Sequence, residues 1–144
     1  MTDLNFESFK QQVFKCDKCI RLTKFRKLIS QKKRKSYLNQ KYWGKPIVGY
    51  GNLTAQILFI GLAPAAHGAT RTGRVFTGDK SADFLFKCLH KANLCNHPYS
   101  LDKKDGLILY NTYITTALKC VPPEDKPTTQ ELNNCFSIFD RELM

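Results

Sequence analysis

The segment from Gln56 to Leu62, Gln-Ile-Leu-Phe-Ile-Gly-Leu, decides the fold class of this chain. Its apolar residues are nearly continuous and turn-forming residues follow it, a pattern typical of a strand buried on both faces. Such strands belong to parallel sheets that have helices packed against each side. A second apolar segment, rich in β-branched residues, runs from Leu107 to Leu118 and predicts another strand, which ends before Val121-Pro122-Pro123.

Helical patterns alternate with these two strands. Apolar spacing predicts a helix from Phe6 to about Leu38, and a second helix begins near Ser81. A third follows Thr128 and Glu131, which form a capping-box pair. The residues predicted to face the core are Phe6, Phe9, Val13 and Cys16; Leu85, Cys88, Leu89 and Ala92; and Leu132, Cys135, Phe136 and Phe139. The order helix, strand, helix, strand, helix predicts an α/β fold with a parallel sheet flanked by helices.

The size and composition fit one soluble domain. The chain has 144 residues, of which 42% are hydrophobic and 24% are charged, as in globular proteins. No run of 18 apolar residues occurs, and the start of the chain lacks the layout of a secretion signal. We therefore expect a cytoplasmic monomer, and we exclude membrane, secreted and fibrous proteins.

The number of strands predicts an incomplete domain. A doubly wound sheet usually has at least four strands, only two are indicated here, and the last helical pattern runs to Met144. We expect residues 1–144 to be the front portion of a single domain whose C-terminal part is missing. Residues 1–50 would form a basic helical segment with a cysteine pair, and residues 51–144 an α/β portion.

The net charge of +11 is concentrated at one end of the chain. Residues 1–50 contain 13 Lys and Arg but only 3 Asp and Glu, and the densest block is Lys32-Lys33-Arg34-Lys35. Aromatic residues, Tyr37, Tyr42 and Trp43, follow this block. Such a block can be a solvated helix face, but the aromatic residues favour binding to a nucleic-acid backbone.

Four of the six cysteines have the spacing of a metal site. Cys16 and Cys19 form a Cys-x2-Cys pair, which places two thiolates about one helical turn apart. Cys120 and Cys135 form a second pair, whereas Cys88 and Cys95 are predicted to be buried as small apolar residues. Four thiolates without a suitable His favour zinc or an iron–sulfur cluster over copper or calcium, and spacing alone does not separate the two.

A loop rich in small residues follows the first strand, from Gly61 to Gly68. In open α/β sheets, ligands bind at the carboxyl ends of strands, and small residues allow close approach to the backbone. The loop contains neither a dinucleotide-binding nor a Walker A motif. His67 is a candidate for loop hydrogen bonding or for chemistry.

The residues after this loop suit a phosphate and an aromatic base. Arg71 and Arg74 supply fixed positive charges, and Phe76 offers a face for stacking. Asp79 stands just before a helix, where its carboxylate either caps that helix or takes part in chemistry.

These motifs together resemble the family 5 uracil-DNA glycosylases of bacteria and archaea. The string GLAPAAHGATRTGRVFTGDKS, from Gly61 to Ser81, is similar to the signature of that family. The resemblance extends over essentially the whole chain and includes the Cys-x2-Cys pair, KYWGKPIVGYG from Lys41, Lys104-Asp105-Gly106, and KCVPPEDKPT from Lys119 with its later cysteine.

The resemblance implies a 4Fe–4S cluster held by Cys16, Cys19, Cys120 and Cys135. It also implies that uracil is flipped out of DNA into a pocket, which costs a few kcal/mol and less at a mismatch. The base would stack on Phe76, within the loop that supplies Gly61, Leu62, Ala63, Pro64 and His67.

The resemblance assigns catalysis to Asp79, whose carboxylate would orient water near the sugar C1′ and stabilise an oxocarbenium-like centre. Ala63 occupies the place where other branches of the superfamily carry an acidic residue. Thr116 replaces an asparagine that reads uracil in many relatives, which extends the expected substrates to hypoxanthine and other deaminated bases.

We therefore expect a DNA-repair glycosylase that hydrolyses the N-glycosidic bond of uracil. The family continues beyond Met144 with further strands and a late His-containing motif, so two alternatives stay open at this point. One is a non-catalytic remnant or fragment that binds DNA and an Fe–S cluster. The other is a zinc-bound nucleic-acid module.

Overall fold

The chain forms five α-helices and three strands among the residues that the structure describes. The structure is a computed structural model and describes residues 2–144. The elements in chain order are α1 (Asp3–Phe14), α2 (Ile20–Lys32), a 3₁₀ turn (Lys35–Tyr37), β1 (Tyr50–Gly51), β2 (Ile57–Gly61), α3 (Ala69–Thr72), α4 (Lys80–Lys91), β3 (Thr112–Thr116), a 3₁₀ turn (Pro123–Asp125) and α5 (Thr129–Leu143).

The three strands form one small sheet in the order β1-β3-β2. Strands β2 and β3 are parallel, as the βαβ pattern predicts, and the short strand β1 pairs with β3 in the antiparallel direction. The register places Gly61 opposite Thr116. With helices on both sides of this sheet, the predicted α/β class is confirmed, and the carboxyl ends of β2 and β3 meet at one edge.

Strand β2 is less buried than its apolar sequence predicts. Every residue of β3 is buried, but in β2 the side chains of Leu58 and Ile60 are 42% and 52% exposed. The reason is position, because β2 is the outer strand of the sheet and no described residue pairs with its free edge. The prediction of burial on both faces is therefore wrong for β2 and right for β3.

The predicted helix from Phe6 to Leu38 is interrupted. Helix α1 ends at Phe14, the chain turns through Lys15 to Cys19, and α2 begins at Ile20. Phe6, Phe9 and Val13 do face the core, where they pack with Val48, Tyr113 and Ile138. The turn separates the two helices at the point where the Cys-x2-Cys pair lies.

Two helices present a different face from the one that their apolar residues predict. In α4 the buried residues are Ala82, Phe86 and Leu89, and Cys88 is exposed, so its prediction as a core residue is wrong. In α5 the buried residues are Glu131, Cys135, Ile138 and Glu142, whereas Phe136 is 62% exposed. Both glutamates have cationic partners, the partly exposed Arg21 for Glu131 and the buried Lys119 for Glu142, and these pairs allow the charged face of α5 to turn inward.

A buried polar network fixes the end of α5. The carboxylate of Glu142 is fully buried and forms an ion pair with Lys119. It also accepts hydrogen bonds from the Tyr113 and Thr115 hydroxyls at 3.0 and 2.8 Å and from the Gly49 backbone amide. Burial lowers the pKa of Lys119, and the carboxylate of Glu142 opposes that change. The network joins α5 to β3 and to the segment before β1.

Candidate active site

The loop after β2 begins against the ring of Phe76. A Cβ atom at Gly61 would lie 2.9 Å from that ring and 3.3 Å from Cγ2 of Thr116, so only glycine allows this packing. Phe76 itself adopts a positive φ of 45°, which is unusual for an aromatic residue. The glycine therefore brings the aromatic ring against the carboxyl ends of both parallel strands.

A cavity of about 320 Å³ opens at this edge of the sheet. It lies within the size range of small-molecule pockets, and its walls are mostly apolar. Six residues predicted for base binding or catalysis line this cavity, whereas the predicted Gly61 and His67 do not. The residues that line it are Leu62, Ala63, Pro64, Ala65, Val75, Phe76, Asp79, Ser81, Thr116 and Asp125.

The hydroxyl of Thr116 has an internal partner. Its Oγ1 donates to the carbonyl of Leu118 at 2.7 Å, and the side chain is 2% exposed. The hydroxyl oxygen keeps lone pairs that can accept a hydrogen bond, but its proton is committed. At this position the cavity therefore offers an acceptor rather than the donor and acceptor of an amide.

Asp79 is both the N-cap of α4 and a wall of the cavity. Its Oδ1 accepts a hydrogen bond from the backbone N–H of Ala82 at 2.8 Å. Its Oδ2 makes no hydrogen bond to any described residue, and it lies so close to Gly68 that a Cβ there would be 2.1 Å away. Capping and chemistry are thus compatible, because the cap fixes one oxygen and leaves the other available.

His67 belongs to a hydrogen-bonded chain with Tyr42 and Arg34. The backbone N–H of Arg34 donates to the hydroxyl of Tyr42 at 3.2 Å, and that hydroxyl contacts Nδ1 of His67 at 2.7 Å. Burial, assisted by the charges of Arg34 and Arg71, lowers the pKa of His67. The imidazole is therefore neutral near pH 7, and Tyr42 can donate to Nδ1 while Nε2 carries the proton.

A wider groove of about 730 Å³ adjoins the cavity and shares Ala65, Asp79 and Ser81 with it. Three cations line this groove: Arg34, Arg71 and Lys80. Arg71 is held in place by bonds to the carbonyls of His67 and Gly78, and its guanidinium stacks 4.0 Å from the ring centre of Tyr37. Asp79 and Asp83 also line the groove, so its cations exceed its carboxylates by one, and it leads directly to the carboxylate of Asp79.

Arg74 is not part of the groove, which corrects its prediction as a phosphate contact. Its side chain is buried, and Nη2 donates to Asp105 at 2.7 Å and to Ser100 at 2.8 Å. Burial alone would raise the pKa of Asp105, but hydrogen bonds from Arg74 and from the Leu101 and Leu107 amides outweigh it and lower the pKa. Arg74 therefore anchors the loop around Asp105.

The basic block is divided by the end of α2. Lys32 is the last residue of the helix, and Lys33 follows in the left-handed region with a φ of 53°. Lys32, Arg34 and Lys35 are exposed, but only Arg34 of the block lines the groove. Positive charges at the C-terminus of a helix also interact favourably with the helix dipole.

The four predicted metal ligands line one small cavity between the α1–α2 turn, the chain after β3, and α5. Backbone and side-chain donors face the sulfurs: the Lys119 amide contacts Cys135 Sγ at 3.3 Å, and Asn134 Nδ2 contacts Cys19 Sγ at 3.6 Å. Burial raises the pKa values of the Cys120 and Cys135 thiols.

Within residues 2–144, no three His, Cys, Asp or Glu side chains are drawn together tightly enough to form a metal-binding group. The four cysteines that line the cavity nevertheless have the chemistry of a thiolate-bound cluster, and the N–H donors around the sulfurs are of the kind that such clusters use.

Several residues of the site are missed by sequence patterns. Asp125 and Ser81 line the cavity and Lys80 lines the groove, while Tyr42 holds His67. Asp125 follows β3 and a Pro-Pro turn, so the rule that ligands meet the carboxyl ends of strands could have indicated it. The link between Tyr42 and His67 joins distant parts of the chain, and no local signal predicts it.

Comparison with known proteins agrees with this geometry. Residues 48–144 match the model of the Uracil DNA glycosylase superfamily. The Type-5 uracil-DNA glycosylase of Pyrobaculum aerophilum is 44% identical over 138 residues, covering 96% of this chain and 60% of that protein. The Type-5 enzymes of Mycobacterium leprae and Thermus thermophilus are 45% and 46% identical, covering 91% and 95% of this chain.

The chain spans about three-fifths of the length of these relatives, from 57% to 62%. The matched part contains the loop, the cavity and all four cysteines described above. Since the superfamily model covers two-thirds of the chain, the chain belongs to the uracil-DNA glycosylase superfamily.

Proposed function

We propose that this protein is a base-excision repair glycosylase that hydrolyses the N-glycosidic bond of uracil in DNA, with Asp79 as the catalytic residue. The observation that carries the proposal is the position of the Asp79 carboxylate, which lies where the apolar cavity meets the basic groove. DNA in the groove would deliver a flipped base to the cavity, and its sugar would then lie beside Asp79.

The chemistry follows from the two oxygens of Asp79. With Oδ1 held by the Ala82 amide, Oδ2 orients a water molecule toward C1′. The glycosidic electron pair leaves with the base, the water oxygen bonds to C1′, and the water proton passes to the carboxylate. The negative charge of Asp79 stabilises the oxocarbenium-like centre during this step, a contribution that depends on a preorganised site.

The cavity supports recognition of a planar base. The ring of Phe76 provides the stacking surface, the loop residues from Leu62 to Ala65 would surround the base, and Thr116 would face one edge as an acceptor. Because one hydroxyl discriminates less than an amide that both donates and accepts, hypoxanthine and other deaminated bases are proposed as further substrates.

Excision of uracil from a U·G duplex under single-turnover conditions tests the proposal. Because the chain spans three-fifths of its relatives, we would compare it with a protein extended by the remaining segment of the Thermus thermophilus relative. We expect residues 1–144 alone to show little or no excision, since β2 has a free edge and the cavity has an open side. The extended protein should excise uracil, and Asp79→Ala should abolish the reaction.

An extended protein that is folded and binds DNA but releases no uracil would overturn the proposal. That result would favour the second candidate, a non-catalytic protein that binds DNA and an Fe–S cluster. The exposed apolar side chains of Leu58 and Ile60, which leave one face of β2 uncovered, are the observation that favours this candidate.

We further propose a 4Fe–4S cluster held by Cys16, Cys19, Cys120 and Cys135, with zinc as the alternative. When bound, the cluster would cross-link the α1–α2 turn, the end of β3 and α5, and hydrolysis requires no electron from it. The four cysteines around one cavity and the N–H donors that face their sulfurs support this assignment.

The colour of the purified protein tests whether it holds an iron–sulfur cluster. Protein purified without oxygen should be brown and absorb broadly near about 400 nm, as iron–sulfur charge transfer does. Cys16→Ala should remove the colour, whereas Cys88→Ala, on the exposed face of α4, should keep it. A colourless protein with one zinc ion per chain would contradict the assignment.

We also propose the binding partner, the oligomeric state and the location of the protein. The groove fits uracil-containing DNA as the partner, and a monomer supplies every residue of the cavity. Among residues 2–144, none of the helices combines the length and apolar character that crossing a bilayer needs. Since the relatives come from bacteria and archaea, we infer a cytoplasmic, nucleoid-associated protein of such a cell.

A further inference from the structure

Arg26 is a buried cation without a carboxylate partner. Only 7% of its surface is exposed, and no Asp or Glu of the described residues forms an ion pair with it. By contrast, the nearby Arg21 on the same helix α2 is partly exposed and donates twice to the carboxylate of Glu131. A buried, unpaired charge is costly, which indicates that an anion belongs beside Arg26.

One donor of the guanidinium is unused. Nη1 donates to the carbonyl of Gly44 at 2.8 Å, and Nη2 donates to the carbonyl of Cys16 at 3.3 Å. Nε is buried and has no hydrogen-bond partner among the described residues. The cost of such an orphaned donor is comparable to that of a lost hydrogen bond, so an acceptor is expected nearby.

The surroundings of Arg26 identify that acceptor. The guanidinium bonds to the backbone of Cys16, and it lies beside the thiol of Cys120. Cys16 and Cys120 both line the four-cysteine cavity, so the guanidinium lies against two of its four ligand residues. The guanidinium is therefore placed to donate to a sulfur of this site and to offset negative charge there.

We propose that Arg26 is the positioning and charge-compensating residue of the four-cysteine site, donating through its guanidinium to the Cys120 sulfur and balancing the negative charge of the bound cluster. The proposal rests on the iron–sulfur part of the proposed function. Hydrogen bonds and charges near the sulfurs set both the retention and the reduction potential of such clusters.

The test compares Arg26→Gln and Arg26→Lys with Arg21→Gln, a matched control that removes an arginine from the same helix. Three quantities are measured on anaerobically purified protein: iron and sulfide per chain, the rate of colour loss with a chelator, and the reduction potential of the cluster. We expect Arg26→Gln to lose the cluster about ten times faster than the wild type. Its potential should move to a more negative value, because a positive charge near the cluster has gone.

The Arg26→Lys variant separates the effect of the positive charge from the effect of the planar guanidinium. It keeps the positive charge but not the planar guanidinium, so its potential should stay near that of the wild type even if colour is lost somewhat faster. If Arg26→Gln does not fold, this variant decides alone. The proposal is overturned if the reduction potential of the Arg26→Lys variant becomes as negative as loss of the positive charge would make it.

Other outcomes are equally decisive. A brown wild type whose Arg26→Gln variant matches Arg21→Gln in potential and colour loss would mean that Arg26 only ties α2 to Gly44 and Cys16. The cluster itself would stand in that case. A wild type that contains zinc or no metal would overturn the cluster proposal and this inference together, so the two failures can be told apart.

Discussion

Two glycines determine the geometry of the candidate active site. Gly61 makes room for the ring of Phe76, and Gly68 makes room for the free oxygen of Asp79. In both cases the neighbouring atom belongs to a residue that lines the cavity. The glycines therefore shape the site itself, and a side chain at either position would displace a functional group.

Gly68→Ala should mimic the loss of Asp79. The new methyl group would overlap with Oδ2, so the carboxylate must move while the fold is retained. A displacement of about 1 Å can reduce catalysis about 100-fold, and we expect a loss of that order in single-turnover excision by the extended protein.

Ala66→Ser serves as the control, since Ala66 lies in the same loop but lines neither the cavity nor the groove. Circular dichroism should show the same helix content in both variants. Excision by Gly68→Ala at the wild-type rate would show that Asp79 does not need its present position.

The residues of the loop could be predicted from sequence because they are contiguous. Gly61 to Pro64, Phe76 and Asp79 fall within a single signature that begins at the end of an apolar strand. Arg74 shows the limit of such patterns. Its positive charge suggests a phosphate contact, but Asp105, which neutralises it, lies 31 residues further along the chain. Local sequence does not reveal that partner.

At the scale of elements, strands and caps are better predicted than helix faces. The apolar segments locate β2 and β3, and Thr128 with Glu131 forms the predicted capping box of α5. Sequence patterns miss the buried face of α5, because a prediction from an apolar stripe assumes that charged residues face water. Glu142 faces inward instead, since Lys119 and three other donors meet it there.

Removing one partner of the buried pair should destabilise the protein strongly. Glu142→Gln leaves Lys119 buried without a counter-charge, and we expect a loss of about 3–5 kcal/mol in the free energy of unfolding, measured with urea. Replacing both residues by apolar ones, Lys119→Met with Glu142→Leu, should recover only part of that loss, because the Gly49 amide and the Tyr113 and Thr115 hydroxyls would lose their acceptor.

The exposed pair between Lys10 and Glu7 is the control. Glu7→Gln should change the free energy of unfolding by less than about 1 kcal/mol, because exposed ion pairs contribute little. If Glu142→Gln is as mild as Glu7→Gln, the buried network does not hold α5 in place.

At the scale of the whole molecule, the positive charge is divided between the groove and the basic block. Arg34 and Lys80 line the groove, whereas Lys32 and Lys35 are exposed outside it. All four are free of the internal ion pairs that neutralise Arg74 and Lys119 among the described residues. This division allows groove contacts and general attraction to DNA to be separated by experiment.

Salt dependence of DNA affinity should distinguish the two groups. The affinity should fall with salt at a slope of about −0.9 per phosphate contacted. Replacing Arg34 and Lys80 by Gln should remove about two phosphate contacts and make the slope correspondingly less steep. Replacing the whole block from Lys32 to Lys35 should also make the slope less steep, without altering base preference.

Replacing only Lys32 and Lys35 removes the same charge as the groove pair and is the matched control. A smaller change in slope is expected for this control. Equal slopes in all variants and the wild type would mean that the block is a solvated face and that the groove does not contact phosphate.

The four-cysteine cavity draws its ligands from both ends of the chain, and this affects how the protein is made. Cys19 leaves the ribosome 116 residues ahead of Cys135. At about 5–20 residues per second, the first pair of thiols waits roughly 6–23 s before the last one is synthesised. During that interval α2 has no completed site to pack against, and the thiols of Cys16 and Cys19 in the turn before it are open to oxidation. Under the iron–sulfur proposal, the yield of loaded protein should therefore depend on oxygen and iron supply during translation, and not only afterwards.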